Sequence, residues 1–269
     1  MSPKESSFKE TAGFFFRGLL MGVADIIPGV SGGTLAFITG IYQRLIHALS
    51  SIKLRKIHHL DYQLLAPLGL GIVTSILLLS KLMSYLLLTY PAVTFSFFFG
   101  VIVASAVFLI KKAGKLNVEK SIFAVIGFLG AYLMAGAAVI YLSHSLITIF
   151  FTAMLAICAM LLPGISGAFL LLLLNQYQYI LESLQALRIS VIATFVAGAI
   201  TGLLLFSKVI DYLLKHFKHL TISFLIGLML GSLRIPWQQM ATSSDTLTIV
   251  LVAVIGFLLV SFLESLYDG

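Results

Sequence analysis

The chain is a series of apolar runs, most of them long enough to cross a bilayer, and two of these runs are cut near the middle by proline and glycine. The runs occupy 13–49, 64–89, 91–110, 120–142, 146–187, 190–214, 221–233 and 246–265, joined by short polar links. A helical span needs about 20 apolar residues, because a helix rises about 1.5 Å per residue and the hydrocarbon core is about 30 Å thick. With 60% hydrophobic and 10% charged residues and a mean hydropathy of +1.10, the chain falls outside soluble composition, where about a quarter of residues are charged. A soluble enzyme domain is excluded. The net charge of +7 comes from short basic clusters between apolar runs, the pattern of a membrane protein oriented by charge rather than of a nucleic-acid binder. Cys158 stands alone in an apolar run, so neither an intramolecular disulfide nor a cysteine metal cluster is expected. The opening M-S-P-K-E-S-S-F-K-E carries both signs of charge and precedes no small-residue cleavage site, which predicts no signal peptide.

The two interrupted runs belong to a repeat. Pro28, Gly29, Ser31, Gly32, Tyr42 and Gln43 recur 135 residues later as Pro163, Gly164, Ser166, Gly167, Tyr177 and Gln178. Gly71, Thr74, Ser80, Lys81 and Tyr85 recur after 127 residues as Gly198, Thr201, Ser207, Lys208 and Tyr212, and Phe97 and Gly100 recur at the same spacing as Phe224 and Gly227. V-I-G-F-L at Val125 returns at Val254. The expected fold is therefore an all-α polytopic membrane protein of two repeats, 1–142 and 143–269, each a re-entrant helical hairpin (13–49 or 146–187) followed by three transmembrane helices. A hairpin returns to its starting side and three spans follow, so each half crosses an odd number of times and consecutive halves are inverted. With both termini in the cytoplasm, eleven Lys and Arg residues fall inside and only Arg188 and Arg234 outside, in accord with the positive-inside rule. Each broken run is expected to form two short arms. The arm 13–27 would supply only about 22 Å of helix, too little for a full crossing.

Proline removes a donor at each break and glycine permits the reversal. Ser31 and Ser166 then fall where an N-cap would open the second arm, with free backbone N–H groups at the tip. Gly29, Ser31, Gly32, Gly33 and Thr34, with Gly164, Ser166 and Gly167, form two candidate oxyanion sites; the alternative is a compact turn whose donors are capped internally. Arg44 offers a planar fork for phosphate. Lys81 and Lys208 sit at equivalent places in the second run of each half, either as pathway charges or snorkelling to the interface. Lys208 could also pair with Asp211 one turn on. Asp25, Arg17 and Glu182 are the remaining charges on the hairpin arms, candidates for gating or proton coupling, or simply acids neutralised by arginine. No catalytic constellation, nucleotide-binding loop, cofactor motif or metal motif appears.

A-D-I-I-P-G-V-S-G-G-T with G-I-Y-Q-R-L-I, and L-P-G-I-S-G-A-F-L with Q-Y-Q-Y-I-L, resemble the PopT-type polyprenyl-phosphate translocase family. The likeness runs from the first hairpin to the last span. Ala168, where that family often has serine, and Asn175, where glycine is common, depart from its pattern. The resemblance implies a transporter, not an enzyme, in the bacterial cytoplasmic membrane. It would return the lipid undecaprenyl phosphate from the outer to the inner leaflet by alternating access. The implied partners are that lipid and the membrane, with a homo-oligomer compatible and nucleic acid not expected. An ion-coupled carrier of small anions and an intramembrane prenyl-diphosphate phosphatase are the alternatives.

Overall fold

The computed structural model describes residues 8–26, 31–52, 61–113 and 117–267, and among these every regular element is a helix. In the first half these are α1 (Phe8–Ile26), α2 (Gly32–Ile38), α3 (Tyr42–Ser50), α4 (Tyr62–Thr89), α5 (Pro91–Ala113) and α6 (Val118–Ala135). The second half has α7 (Leu146–Leu161), α8 (Gly167–Leu173), α9 (Tyr177–Gln185), α10 (Ile189–His216), α11 (Lys218–Ser232), α12 (Arg234–Met240) and α13 (Thr246–Tyr267). Polar caps start several of them: Ser31, Asp61, Asn117, Ser145 and Ser166 each accept a backbone N–H of the first turn, replacing a bond the helix itself cannot make. Among the described residues, five helical stretches are long and apolar enough to cross a membrane: Tyr62–Leu79, Pro91–Lys111, Val118–Ala135, Ile189–His216 and Lys218–Met240, the last running through α11 and α12. The chain is a multi-pass membrane protein.

Two boundaries differ from the expectation. The broken runs each form three helices rather than two arms, because the second arm is itself interrupted. Gly40 (φ +74°) and Asn175 (φ +54°) take the left-handed conformation at equivalent places 135 residues apart, between α2 and α3 and between α8 and α9. Glycine adopts this backbone freely and asparagine tolerates it, so the glycine-to-asparagine difference keeps the same turn. The run 120–142 also shortens. Gly136 ends α6, and 136–145 continues without helix, tied by the Ile140 N–H to the Leu173 carbonyl at 2.7 Å.

The helices pack in matching pairs. α1 lies along α4 and α7 along α10, while α5 lies against α13 and α6 against α11, each crossing from one half to the other. Glycine lets these backbones touch. A Cβ at Gly71 would fall on the Phe15 carbonyl oxygen, and one at Gly198, its equivalent, on the carbonyl oxygen of Phe150, the equivalent of Phe15. Gly100 faces the Ala253 carbonyl as Gly227 faces that of Ala124; Gly256 faces Phe97 as Gly127 faces Phe224. Every partner recurs at the repeat spacing. The register also gives direction: Gly18 meets Leu68 and Gly22 meets Ile72 and Ser75, so α1 and α4 run the same way. By the same reading α7 runs with α10 (Gly198 on Phe150, Gly202 on Met154) and α6 with α11 (Gly227 on Ala124, Gly231 on Phe128).

In lipid, close backbone approach replaces the hydrophobic drive that holds helices together in water. Gly127→Val and Gly227→Val are therefore expected to destabilise the protein to a similar degree, by about 1–3 kcal/mol as in overpacked cores. Thermal unfolding in lipid nanodiscs measures both; an unaffected midpoint in either variant contradicts the paired seam.

Candidate functional site

The two breaks meet. Ser31, Thr34 and Ser166 are buried, and bonds cross directly from one break to the other. The Ser31 hydroxyl lies 3.2 Å from the Met160 carbonyl oxygen and 3.3 Å from that of Leu162, to which it can donate. The Gly164 N–H donates to Thr34 Oγ1 at 3.0 Å, and the Tyr42 hydroxyl donates to the Leu161 carbonyl at 3.0 Å. Irregular backbone inside an apolar protein must find partners of this kind. Gly164 adopts φ +90° and lies so near Met229 of α11 that a Cβ would strike its backbone, so glycine is needed there for conformation and for space. Gly29 falls outside the described residues.

At the start of α2, three described donors of the first tip are engaged locally. The Gly32 N–H donates to Asp25 Oδ1 at 2.7 Å, the Gly33 N–H to Ser31 Oγ at 3.1 Å, and the Thr34 N–H to the Ser31 carbonyl at 2.9 Å. In the second tip, Phe169 N–H donates to Ser166 Oγ at 3.4 Å, and Gly167 packs on the Ala156 carbonyl. Asp25 thus places a carboxylate oxygen at the start of α2, where an oxyanion was expected. Its other oxygen, Oδ2, is buried and has no hydrogen-bond partner among the described residues. Beside it opens a cavity of about 210 Å³, bounded by Met21, Asp25, Gly33, Tyr42, Ile157 and Met160 among other residues. Apart from Asp25 and Tyr42 the side chains around it are apolar.

Arg44 and Glu182 make their bonds away from this junction. Arg44 binds Asp61 with Nε at 2.8 Å and Nη2 at 3.1 Å, reaches Glu10 at 3.4 Å, and lies 4.9 Å over the Phe14 ring. It clasps α3 to α1 and to the start of α4. The Arg44 hydrogen bonds hold the Asp61 carboxyl below its ordinary value of 3.8. Asp211 binds Lys215 at 2.7 Å and His47 at 3.3 Å, joining α3 to α10; Lys208 is not its partner. Lys81 and Lys208 are exposed on α4 and α10. Glu182 accepts a bond from Gln178 at 3.2 Å, and half-buried Arg17 lies 5.4 Å from the Phe14 ring centroid.

Reasoning along the sequence missed the Thr34–Gly164 and Tyr42–Leu161 bonds, although the recurrence of Tyr42 as Tyr177 singled out that tyrosine. The Arg44–Asp61 pair was missed too; its only signal was an aspartate just ahead of an apolar run, the position of a helix cap.

A multi-pass helical protein with two helix breaks buried against each other, beside an apolar cavity holding one carboxyl, has the form of a membrane carrier. The chain belongs to the VCA0040-like family, described as undecaprenyl phosphate translocase-like, which it matches over residues 21–251. It is 37% identical over 242 residues to a polyprenyl-phosphate transporter of Vibrio cholerae serotype O1, covering 86% of this chain and 79% of that one. It is 31% identical over 267 residues to a polyprenyl-phosphate transporter of Staphylococcus aureus, covering 90% and 92%. Both relatives are named as transporters rather than enzymes. No solved structure matches the chain.

Two outcomes follow from these bonds. Thr34→Val leaves the buried Gly164 N–H without its acceptor and should lower stability by about 1–3 kcal/mol, the cost of an unsatisfied buried donor; Thr34→Ser should restore most of it. The Arg44–Asp61 clasp is half exposed, so its contribution is about 1 kcal/mol or less. Folding lowers the Asp61 pKa, so that contribution is complete above 3.8 and lost as pH falls through the lower folded value. Unfolding midpoints of wild type and Asp61→Asn should differ at neutral pH and converge in acid.

Proposed function

We propose that the chain is a polyprenyl-phosphate transporter that moves undecaprenyl phosphate from the outer to the inner leaflet of a bacterial cytoplasmic membrane by alternating access. The observation that carries the reading is the junction of Ser31 and Thr34 with Met160, Leu162 and Gly164, in a chain whose relatives bear that name. In this reading the halves are inverted repeats and the two broken runs are re-entrant hairpins reaching the junction from opposite faces. Helix direction supports the inversion. α6 runs with α11; with α4, α5 and α6 taken as consecutive crossings, and α10 and α11 likewise, α10 runs against α4, its equivalent in the repeat. The basic clusters support a cytoplasmic location for both termini.

Bare phosphate in hydrocarbon is prohibitively costly, so the headgroup needs donors at mid-depth while its prenyl tail stays in lipid. The conformation described above is a closed one, in which the tip donors satisfy each other. Asp25 holds the place of a headgroup oxygen at the Gly32 N–H. Two anions cannot share that site, so the headgroup binds once Asp25 is displaced or protonated. This gives Asp25 the gating or proton-coupling role, and parting of the tips frees the Gly164 N–H and the hydroxyls of Ser31 and Tyr42. Lys81 and Lys208, exposed near opposite ends of the molecule in the inverted arrangement, attract phosphate headgroups in the two leaflets.

The test is redistribution of a labelled polyprenyl phosphate between the leaflets of sealed liposomes containing the purified protein. Wild type should accelerate it, Ser31→Ala should slow it at least tenfold, and Asp25→Asn, a permanent mimic of the protonated acid, should remove the pH dependence of the rate. A wild type without effect refutes the transport reading; a full rate in Ser31→Ala with unchanged pH dependence in Asp25→Asn removes the tips from the transport site.

A further inference from the structure

A second cavity, of about 470 Å³, lies where α6, α11 and α12 meet α5, bounded by Phe99, Phe128, Tyr132, Arg234, Trp237 and Gln238 together with two leucines. Its composition is unlike that of the apolar cavity beside Asp25. Phe128 and Tyr132 stack at 5.6 Å, Phe99 and Trp237 lie 6.0 Å apart, and the Arg234 guanidinium sits 4.4 Å from the Tyr132 ring centroid. Arg234 Nη1 donates to the Tyr132 carbonyl at 2.9 Å. A guanidinium has five N–H donors, so this bond leaves a fork of further donors. No residue lining the cavity is acidic, and no carboxylate among the described residues pairs with Arg234. Arg234 opens α12 and Tyr132 is near the end of α6. Phe99 lies eight residues into α5, about 12 Å from the start of that helix at a rise of 1.5 Å per residue. The cleft sets one half-buried cation among aromatic rings, of which Trp237 is the most exposed.

The repeat does not duplicate this feature. At the repeat spacings Arg234 corresponds to Val107, Trp237 to Ile110 and Tyr132 to Ser261; Lys111 stands at the place of Gln238 without the aromatic wall. In a molecule whose halves share so many contacts, a cleft present once belongs to one face. We infer that it is a loading site for the headgroup end of a prenyl phosphate. Arg234 and the Gln238 amide bind the phosphate, and the first isoprene units lie against Phe99, Phe128 and Trp237. Guanidinium matches phosphate in charge and in fork geometry, and the rings offer apolar surface where the chain emerges from the head. The substrate class rests on the transport reading above; the site and its one-sidedness rest on the cleft. In the proposed topology this face is the outer one.

The chain contains a single tryptophan, and it is Trp237, so intrinsic fluorescence reports on the cleft alone. Full-length protein in zwitterionic nanodiscs is titrated with farnesyl phosphate, and in parallel with farnesol, inorganic phosphate and phosphatidic acid. A saturable change in emission is expected with farnesyl phosphate and none at equal concentration with the other three. Arg234→Gln should raise the half-saturating concentration at least tenfold, Arg234→Lys less, and Gln238→Ala severalfold. Gln238 is exposed and has no bond the fold depends on, so that variant decides the matter if Arg234→Gln fails to fold. An equal response to farnesol or phosphatidic acid, or unchanged half-saturation in Gln238→Ala and in a folded Arg234→Gln, overturns the site. Leaflet redistribution measured on the same proteins separates the two readings. Normal transport with a silent Trp237 removes the cleft alone, and binding without transport by wild type removes the transport reading alone.

Discussion

A polypeptide that interrupts a helix inside hydrocarbon leaves backbone N–H and C=O groups with no water to receive them, and each such group is costly. Breaks buried inside an apolar protein face the same demand for partners. The break after α1 and the break after α7 satisfy one another: Thr34 accepts the Gly164 N–H, and Ser31 and Tyr42 reach the carbonyls of Met160, Leu162 and Leu161. Small residues bring the surrounding helices close enough for this. Gly33 lies against the Met160 and Leu161 carbonyls, and Gly167 against that of Ala156. A larger residue at either place would push the junction apart before any hydroxyl could span it.

The same economy of space explains why the halves are interleaved. α6 does not cover its own half but lies on α11, and α13 lies on α5. Gly127, Gly227, Gly100 and Gly256 are the points of nearest approach. Exchange of the last helices makes each half incomplete alone. The junction of breaks is then held by a frame belonging to both halves, and movement of one half against the other must pass through these seams. Packed backbones slide or rock more readily than they deform, which suits a carrier whose central bonds form and part as a unit.

Much of this frame was legible in the sequence because its signals are local. Apolar length marked the helices, proline and glycine marked the breaks, and recurrence of Gly71, Gly100 and Val125 with their neighbours marked the duplication. What escaped depends on distance along the chain. Nothing near Arg44 indicates that its fork meets Asp61, 17 positions away, and nothing near Asp211 points to His47 rather than Lys208. The left-handed turns at Gly40 and Asn175 were hidden within continuous apolar segments, and their equivalence shows only when both φ values are seen. Asp25 is the sharpest case. Sequence marked it only as one of the charges on the hairpin arms, and the fold alone brings its carboxylate to the Gly32 N–H.

Duplication and asymmetry then divide the work of the molecule. Contacts that recur, such as Phe15 on Gly71 and Phe150 on Gly198, cannot distinguish one face from the other, because any force they exert is mirrored. Preference for a direction must come from residues that stand once. Asp25 has Met160 at its repeat position, and Arg234 has Val107. One is an acid held at the centre and the other a cation at one end, opposite in sign and separated by the α11 frame. In the proposed mechanism a phosphate drawn to the cation and repelled by the ionised acid meets a potential that changes sign along its path. Protonation of the carboxyl would remove the repulsion without altering the attraction, and on that proposal a proton at Asp25 turns a site of capture into the start of a passage.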